Sequence, residues 1–287
     1  ESVLKIAVTG DVHLTSQDEH PERYNALGNI VEQMISEEIN TIIIAGDLFD
    51  AHCQNYSEFD GFCRQRKYDS IKFYIIPGNH DSQLHGKHLM AKNVNVITDP
   101  EIISMGSPEV KFLFLPYAKD RTMGDNIALF KSDLELGDWV LIGHGNFIGG
   151  IREINPYEPG TYMPLTRKDI ELYKPGKTLL GHIHKSMDQE IVHCVGSPCG
   201  LNINETGHRR FIVLDTDSLS VAGKTVDTDY LYFDESLIAL PMADEVDYIR
   251  NKIKAAIKRW GVRDEEKSKI RARIQFRGYT SDARMLK

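Results

Sequence analysis

Five short apolar runs in this chain each end at a cluster of glycine, acidic, amide or imidazole residues. The clearest cluster, Gly78-Asn79-His80-Asp81, follows the apolar residues 73–77. The other four runs are followed by Asp11-Val12-His13, Gly46-Asp47, Gly143-His144 and Gly181-His182-Ile183-His184. In open α/β sheets, ligands collect beyond the carboxyl ends of the strands. The repetition therefore predicts an α/β fold in which five strand ends meet at one site.

The segments between these runs include stretches with helical periodicity. Apolar side chains recur at helical spacing over residues 22–39, between predicted strands 3–8 and 41–45, so the chain opens with a βαβ unit. Alternating elements followed by mostly β structure predict an α/β protein, a two-sheet β-sandwich flanked by helices. Further helices are predicted at 57–67 and 126–134, a long loop at 149–165, and strands at 71–76, 94–97, 110–115, 138–142, 177–180, 190–195, 211–214 and 218–221.

The C-terminal part of the chain differs from the rest. A helix is predicted over residues 243–260 and strands over 230–233 and 270–276, which together make a small α+β domain. We therefore expect a first domain of residues 1–226 and a second, partial domain of residues 227–287. Because a strand so near the end has few partners to pair with, we expect the natural protein to continue.

Charge is unevenly distributed along the chain. Residues 1–248 hold 21 Lys and Arg against 38 Asp and Glu, whereas residues 249–287 hold 13 against 4, within a formal net charge of −8. The acidic part argues against binding of a phosphate backbone, and the basic part favours it. The basic run at residues 250–277 is either a DNA-contacting face or an ordinary solvated helix face.

Composition narrows the class of protein. With 41% hydrophobic and 26% charged residues, the chain suits a globular protein with a sizeable core. No apolar run reaches the roughly 18 residues that span a membrane, so we predict a cytoplasmic protein that does not contact a membrane. The four cysteines have no zinc-site spacing and are expected to be reduced thiols.

The strand-end clusters contain the ligand types of a metal centre. Carboxylate, amide and imidazole groups without thiolates suit Mn²⁺, Fe²⁺ or Zn²⁺. Seven ligands are too many for one ion, so they indicate two ions that share a carboxylate, for which the central Asp47 is our candidate. A slight turn after the strand lets His182 and His184 reach different ions. The candidate ligands are Asp11, His13, Asp47, Asn79, His144, His182 and His184.

Taken in order, Asp-x-His, Gly-Asp-x-x-Asp, Gly-Asn-His-Asp, Gly-His and Gly-His-x-His resemble the calcineurin-like metallophosphoesterase superfamily. Within it, residues 11–14, 45–50, 181–185 and 195–198 resemble the SbcD-type nucleases of DNA double-strand-break repair. The resemblance implies a metallophosphoesterase fold with a capping domain, and two Mn²⁺ ions with Fe²⁺, Zn²⁺ or Mg²⁺ as alternatives. It further implies DNA as substrate, a DNA-associated location, a homodimer, and an SMC-like ATPase partner of the SbcC type.

The resemblance also assigns roles to residues. It implies that Asp11, His13, Asp47 and His184 bind one ion, and that Asp47, Asn79, His144 and His182 bind the other. His80 becomes the catalytic histidine, and Asp81 either orients His80 or caps a turn. Asp50 stands where archaeal and eukaryotic members usually have His and bacterial members often have Asp. The balance of exonuclease and endonuclease activity therefore stays open.

Three further residues, Arg23, His52 and His85, are candidates for substrate contact because of their position in the sequence. Arg23 either meets a phosphate or is a surface residue at the start of a helix. The predicted activity is metal-dependent hydrolysis of DNA phosphodiester bonds, as a 3′–5′ exonuclease and single-strand endonuclease in repair and recombination. One alternative, favoured by the acidic first 248 residues, is a phosphodiesterase or phosphatase for small nucleotides or phosphoproteins. The other is a catalytically inactive scaffold on the same fold.

Overall fold

The structure is a computed structural model that describes residues 4–149 and 160–280. The strands are β1 (Lys5–Thr9), β2 (Thr41–Ala45), β3 (Lys72–Ile76), β4 (Val94–Val96), β5 (Glu101–Met105), β6 (Val110–Leu115), β7 (Trp139–His144), β8 (Phe147–Ile148), β9 (Leu165–Thr166), β10 (Lys177–Gly181), β11 (Met187–Gln189), β12 (Val192–Cys194), β13 (Arg210–Asp215), β14 (Val221–Thr225), β15 (Leu231–Ala239) and β16 (Ile270–Gly278). The helices are α1 (Pro21–Ser36), α2 (Tyr56–Cys63), α3 (Met123–Leu129), α4 (Arg167–Tyr173) and α5 (Glu245–Arg259), with 3₁₀ turns at Arg66–Tyr68, Gly86–His88 and Asp264–Lys269.

Two six-stranded sheets make up the larger part of the fold. The strand order is β14-β13-β1-β2-β3-β4 in the first sheet and β11-β12-β10-β7-β6-β5 in the second. Fully buried apolar side chains of both sheets, such as Ile6 and Ile43 from the first and Phe112 and Val140 from the second, form one core cluster. The sheets therefore pack face to face, and the predicted α/β sandwich is confirmed.

The parallel pairing of neighbouring strands determines where the polar clusters lie. Strands β1, β2 and β3 run parallel in the first sheet, and β6, β7 and β10 run parallel in the second. The centre of the first sheet is the run 41–45, which is buried at every position, as expected for a β-branched strand covered on both faces. Because neighbouring parallel strands end at the same edge, their carboxyl ends deliver the polar clusters to one side of the molecule.

Helix α1 shows how the local sequence fixes an element next to the site. Pro21 occupies its first turn, where the missing N–H costs nothing, and residues including Leu27, Ile30 and Met34 bury one face at helical spacing. A second apolar cluster, which includes Met123 and Ile127 of α3, covers the outer face of the second sheet. The sheets are thus flanked by helices.

The chain divides into two compact units. The larger unit comprises the residues up to Cys199 together with Arg209–Thr228, and the smaller comprises Gly200–His208 together with the residues from Asp229 onward. In the smaller unit, β15 and β16 form a parallel pair, and Phe233 of β15 stacks on Trp260 with ring centroids 4.3 Å apart.

Several predicted elements need correction. The helix predicted at 126–134 is α3, which begins earlier because the Thr122 side chain caps it. The strand predicted at 218–221 begins only at Val221, since residues 216–220 connect β13 to β14 through a turn at 216–218. Strands β5, β8, β9 and β11 and helix α4 were not predicted at all. Of the loop predicted at 149–165, residues 150–159 lie outside the described residues.

All four cysteines are free thiols, as expected. Among the residues that the structure describes, no helix has both the length and the apolar character that a membrane crossing requires.

Candidate metal centre

The strand ends converge on the carboxylate of Asp47, which follows β2. Its Oδ2 atom lies 3.2 Å from Nε2 of His144 and 3.8 Å from Nε2 of His13. Its Oδ1 atom accepts a hydrogen bond of 2.9 Å from the backbone N–H of His80. Three strand ends and the loop after β3 therefore contact or adjoin a single carboxylate, while the sharing of Asp47 by two ions remains a prediction.

One group of potential ligands lies on the side of the second sheet. Asp47, His144 and His182 each offer a ligand atom, and these atoms lie within 4.8 Å of one another. The Oδ1 atom of Asn79 is 2.9 Å from Nε2 of His144 and 3.2 Å from Nδ1 of His182. These four residues form the Asn79 group.

A second group consists of Asp11, His13 and His184, whose ligand atoms also lie within 4.8 Å of one another. The Nε2 atoms of His13 and His184 are 3.2 Å apart, and we call these two residues the histidine pair. The Asp11 carboxylate accepts two hydrogen bonds from the backbone N–H of His182, at 2.8 and 3.1 Å. His182 and His184 thus belong to different groups, because the chain turns after β10.

The backbone at these strand ends adopts an uncommon conformation. Asp11, His13 and Asp47 have φ angles of 51–52°, and His182 has a φ of 89°. Such left-handed conformations cost free energy for residues with a side chain, and they concentrate at functional sites. The turned backbone lets consecutive polar side chains face inward where a continuing strand would alternate them.

Close packing of His144 against residue 46 requires a glycine at this position. A Cβ atom there would lie 2.1 Å from Nδ1 of His144, and its φ of +89° also disfavours any other residue. His144 therefore packs directly on the turn that carries Asp47.

The charges of the Asn79 group are strongly coupled. Burial opposes the charged form of Asp47, but the charge of His144 and its hydrogen bond hold the pKa of Asp47 well below its usual range. Burial also opposes the charged form of His144, yet the charge of Asp47 raises the pKa of His144 to about 10. The buried carboxylate of Asp47 is therefore stabilised by a positive charge beside it.

The histidine pair has a different electrostatic environment. Burial lowers the pKa of His13 to about 3, against the opposing charge of Asp47. Burial raises the pKa of Asp11 to about 6, against the charges of His184 and His144. A neutral His13 has one ring nitrogen with a free lone pair, which is the form that ligates a metal.

The donor set fits divalent metal ions. The Nδ1 atom of His144 lies 2.8 Å from the carbonyl oxygen of Ala45, so Nδ1 carries the proton of the neutral ring. The Nε2 lone pair then faces the oxygen atoms of Asp47 and Asn79. Three electron-rich atoms in mutual contact need a cation or a proton between them, and oxygen with imidazole nitrogen suits a divalent ion.

The comparisons with known proteins agree with this chemistry. A family model for the calcineurin-like phosphoesterases matches residues 4–199, a span that contains every candidate ligand. The chain belongs to the calcineurin-like phosphoesterase family. Phosphoesterases of this family are metal-dependent hydrolases that use divalent ions, so the protein is a metal-dependent phosphoester hydrolase by family.

One relative is the DNA double-strand break repair protein Mre11 of Nanoarchaeum equitans (strain Kin4-M). It is 23% identical over 227 residues, which are 68% of this chain and 60% of the relative. The chain thus spans about 60% of the length of that relative.

Some solved structures align with most of the chain. GAP50, the anchor in the inner membrane complex of Plasmodium, has a TM-score of 0.50 at 10% identity, over 79% of this chain and 90% of that chain. A novel archaeal phosphodiesterase has a TM-score of 0.40 at 14% identity, over 78% of this chain and 100% of that chain. GAP50 therefore has a fold similar to that of this chain.

His80 and Asp81 lie in the loop that carries Asn79 in this phosphoesterase. The ring of His80 is perpendicular to that of His13, with centroids 4.7 Å apart, so it borders the candidate centre. Asp81 is fully buried, and its two oxygens accept hydrogen bonds from the backbone N–H groups of Gly78 and Phe49, at 2.6 and 3.1 Å. Asp81 therefore holds the loop, while its effect on His80 remains a prediction.

The structure places the three predicted substrate contacts differently. Arg23 is only 7% exposed, so its interpretation as a surface residue is wrong. Its guanidinium donates to the backbone carbonyl of His13 and lies 3.5 Å from Asp50. His52 and His85 are exposed, and substrate contact by either of them remains a prediction.

Two residues beside the phosphoesterase site, Arg209 and Gln54, are not indicated by any sequence pattern. Arg209 is buried and donates to the backbone carbonyl of His184, and Gln54 donates to that of His80 at 3.2 Å. Neither residue lies within a strand-end cluster. The available signal was indirect: Val195-Gly196-Ser197-Pro198 was noted in the sequence, and Ser197 turns out to be the partner of Arg209.

Proposed function

We propose that this metal-dependent phosphoesterase is a DNA nuclease of the double-strand-break repair type. It would hydrolyse phosphodiester bonds of DNA as a 3′–5′ exonuclease and a single-strand endonuclease. The observation that carries the proposal is the pair of ligand groups that meet at Asp47, within a chain related to a repair protein named Mre11.

The proposed ligand sets follow the two groups. Asp11, His13, Asp47 and His184 would hold one ion, and Asp47, Asn79, His144 and His182 the other, with Mn²⁺ as the proposed metal. Two bound divalent ions lower the pKa of a water molecule toward neutrality and stabilise negative charge on phosphoryl oxygens.

The residues around the ligands would supply the remaining chemistry. The backbone N–H of His80 donates to Asp47 and its ring borders the histidine pair, and in this proposal its imidazole would donate a proton to the leaving oxygen. Asp81 would keep the loop in place by binding the N–H of Gly78. The side chain of Asp50 accepts from the N–H of His52 at 3.0 Å and thereby shapes the loop beside the site.

DNA is favoured as substrate by the relative's name and by the basic charge of residues 249–287. We propose that residues 227–287 form part of a capping domain that helps to hold DNA, after a nuclease domain of residues 1–226. We also propose that the protein acts as a homodimer with an SMC-like ATPase partner. The acidic residues 1–248 favour a second candidate, hydrolysis of small phosphodiesters.

The test compares substrates with matched variants. Linear double-stranded DNA, circular single-stranded DNA and bis-p-nitrophenyl phosphate are each incubated with Mn²⁺ and the wild-type protein. The His80→Ala and Asp47→Ala proteins test the site. The controls are His208→Ala, in the smaller unit, and Asp99→Ala, an exposed carboxylate.

We expect the wild-type and control proteins to cut both DNA substrates and the two site variants to lose this activity. Turnover of the small ester without cutting of DNA would contradict the nuclease proposal and support the second candidate. If no substrate is hydrolysed by wild-type protein that has bound Mn²⁺, an inactive scaffold is the better description.

A further inference from the structure

Two buried arginines donate hydrogen bonds to the main chain of the histidine pair. Arg23, in the first turn of α1, is 7% exposed and donates from Nη1 to the backbone carbonyl of His13. Arg209, just before β13, is 8% exposed and donates from Nη2 to the backbone carbonyl of His184. Each histidine of the pair therefore has its own guanidinium on its main chain.

The geometry of the pair depends on two separate parts of the fold. His13 follows β1 of the first sheet, and His184 follows β10 of the second. Their Nε2 atoms are nevertheless only 3.2 Å apart. Since each histidine lies on an irregular segment beyond its strand, strand pairing alone does not fix this distance.

Arg209 binds more than one group on the His184 side. Its Nε donates to the carbonyl oxygen of Ser197 at 3.1 Å, and its Nη2 also donates to the Ser197 hydroxyl. Ser197 in turn donates from its backbone N–H to the carbonyl oxygen of His184, at 3.0 Å. This closed set of contacts uses the planar fork of a guanidinium, which a lysine ammonium does not reproduce.

Arg23 has a comparable arrangement on the His13 side. Besides the carbonyl of His13, its Nη1 lies 3.5 Å from Oδ2 of Asp50, a partly exposed carboxylate. His13 is further fixed by its backbone N–H, which donates to the carbonyl oxygen of Asp47 at 3.0 Å. Arg23 thus connects the strand-end turns of β1 and β2.

We infer that Arg23 and Arg209 are positioning residues that set the distance between His13 and His184. They thereby determine the affinity of the metal position formed by these histidines, without contacting metal or phosphate. The inference rests on the proposed two-metal function and assigns a role to Ser197. A guanidinium charge by itself would repel a dication, and substitution by Lys keeps that charge, so a loss of affinity in a Lys variant reports the position of the histidines and not the removal of charge.

The test measures Mn²⁺ binding instead of catalysis. Metal-free wild-type, Arg209→Lys and Arg23→Lys proteins are titrated with Mn²⁺ by calorimetry, and their bound Mn²⁺ is examined by electron paramagnetic resonance. The matched control is Arg210→Lys, which changes the neighbouring arginine. Arg210 makes two hydrogen bonds of 2.7 Å to Asp188.

We expect wild type and Arg210→Lys to bind two ions and to give the spectrum of a coupled Mn²⁺ pair. Arg209→Lys and Arg23→Lys should lose roughly 10- to 100-fold in affinity at one position only, as is typical when a group supporting a ligand is removed. At intermediate Mn²⁺ concentrations, both variants should then show the spectrum of isolated Mn²⁺.

Two results would overturn the inference: unchanged affinity at both positions in Arg209→Lys and Arg23→Lys, or tighter binding in either. Absence of Mn²⁺ binding to the wild type would instead contradict the proposed two-metal function. If thermal unfolding shows that Arg209→Lys does not fold, Ser197→Ala replaces it. This variant removes the hydroxyl that accepts from Arg209 and donates to the carbonyl oxygen of His184 at 3.5 Å, while the bonds of Arg209 to the carbonyl oxygens of Ser197 and His184 stay. We therefore expect a smaller loss at the same metal position, and equal affinities would refute the inference.

Discussion

The backbone of Gly78 lies so close to Asp47 that a Cβ atom at this position would meet the Oδ1 atom of Asp47 at 2.1 Å. Asp47 also borders both ligand groups and accepts a hydrogen bond from the backbone of His80. Gly78 and the carboxylate of Asp47 are therefore tightly packed against each other. Even the methyl group of an alanine at position 78 would displace the carboxylate.

Gly78→Ala should consequently damage both folding and activity. Overpacking of this kind costs about 1 to 3 kcal/mol, and misplacement of a reacting group by about 1 Å costs about 100-fold in rate. Urea denaturation and hydrolysis of bis-p-nitrophenyl phosphate measure the two effects. Gly61→Ala is the control, because a Cβ atom at Gly61 in α2 meets nothing within 4 Å. This control should gain up to about 1 kcal/mol in stability and keep full activity.

Removal of metal should lower thermal stability, because the mutually contacting ligand atoms of Asp47, Asn79 and His144 then lose the cation between them and His144 must take up a proton in its place. A ligand at about 100 times its Kd stabilises a fold by about 2.7 kcal/mol, which corresponds to roughly 5 to 10 °C in Tm. Scanning calorimetry of protein with EDTA and with excess Mn²⁺ measures the shift. The His182→Gln protein should show a smaller shift, and equal Tm values for the two wild-type samples would contradict the prediction.

The strand ends were predictable because apolar runs followed by polar residues have a local signature. The sequence pattern located the residues that meet around Asp47, since parallel strands end at a common edge. Helix α4 was missed because it lies beside a stretch rich in glycine and proline and its capping pair, Thr166 and Asp169, has a short signature. Strand β5 pairs antiparallel with β6 alone, so its weaker apolar pattern reflects its edge position.

No pattern of neighbouring residues in the sequence indicates that Arg23 and Arg209 are buried beside the site. Arg23 and Arg209 are separated by much of the chain and appear in sequence as ordinary charged residues, which are mostly exposed. Their burial follows from main-chain carbonyls that need donors at irregular strand ends. Such contacts depend on the assembled sheets, and a single sequence contains no pattern that reports them.

The two interpretations of Asp81 make different predictions for Asp81→Ala. Loss of its carboxylate leaves the buried N–H groups of Gly78 and Phe49 without their acceptor, which costs about 3 kcal/mol. A role confined to orienting His80 would lower activity without lowering stability. We expect both to fall, as measured by urea denaturation and by bis-p-nitrophenyl phosphate turnover, whereas the adjacent exposed Ser82→Ala should change neither.

Glu266 should make the stability of the smaller unit dependent on pH. A hydrogen bond from the Arg263 side chain, aided by the backbone N–H of Arg263 and by His208, lowers the pKa of Glu266 from 4.5 to about 2. A depressed pKa in the folded state means that the unfolded chain binds the proton more tightly. The stabilisation is therefore complete above about pH 5 and is lost as the pH falls toward 2.

Glu266→Gln removes this dependence. Its free energy of unfolding should lie below that of the wild type at about pH 7, and the difference should shrink as the pH is lowered to about 3.5. Fluorescence during urea denaturation follows this unit when both proteins carry Trp139→Phe, because Trp260, which stacks on Phe233 and donates to Glu235 at 2.8 Å, then reports alone. Glu265→Gln is the control, since its contact with Arg263 is exposed and exposed ion pairs contribute little. A difference between wild type and Glu266→Gln that stays constant across this pH range would show that the carboxylate charge of Glu266 does not stabilise the fold.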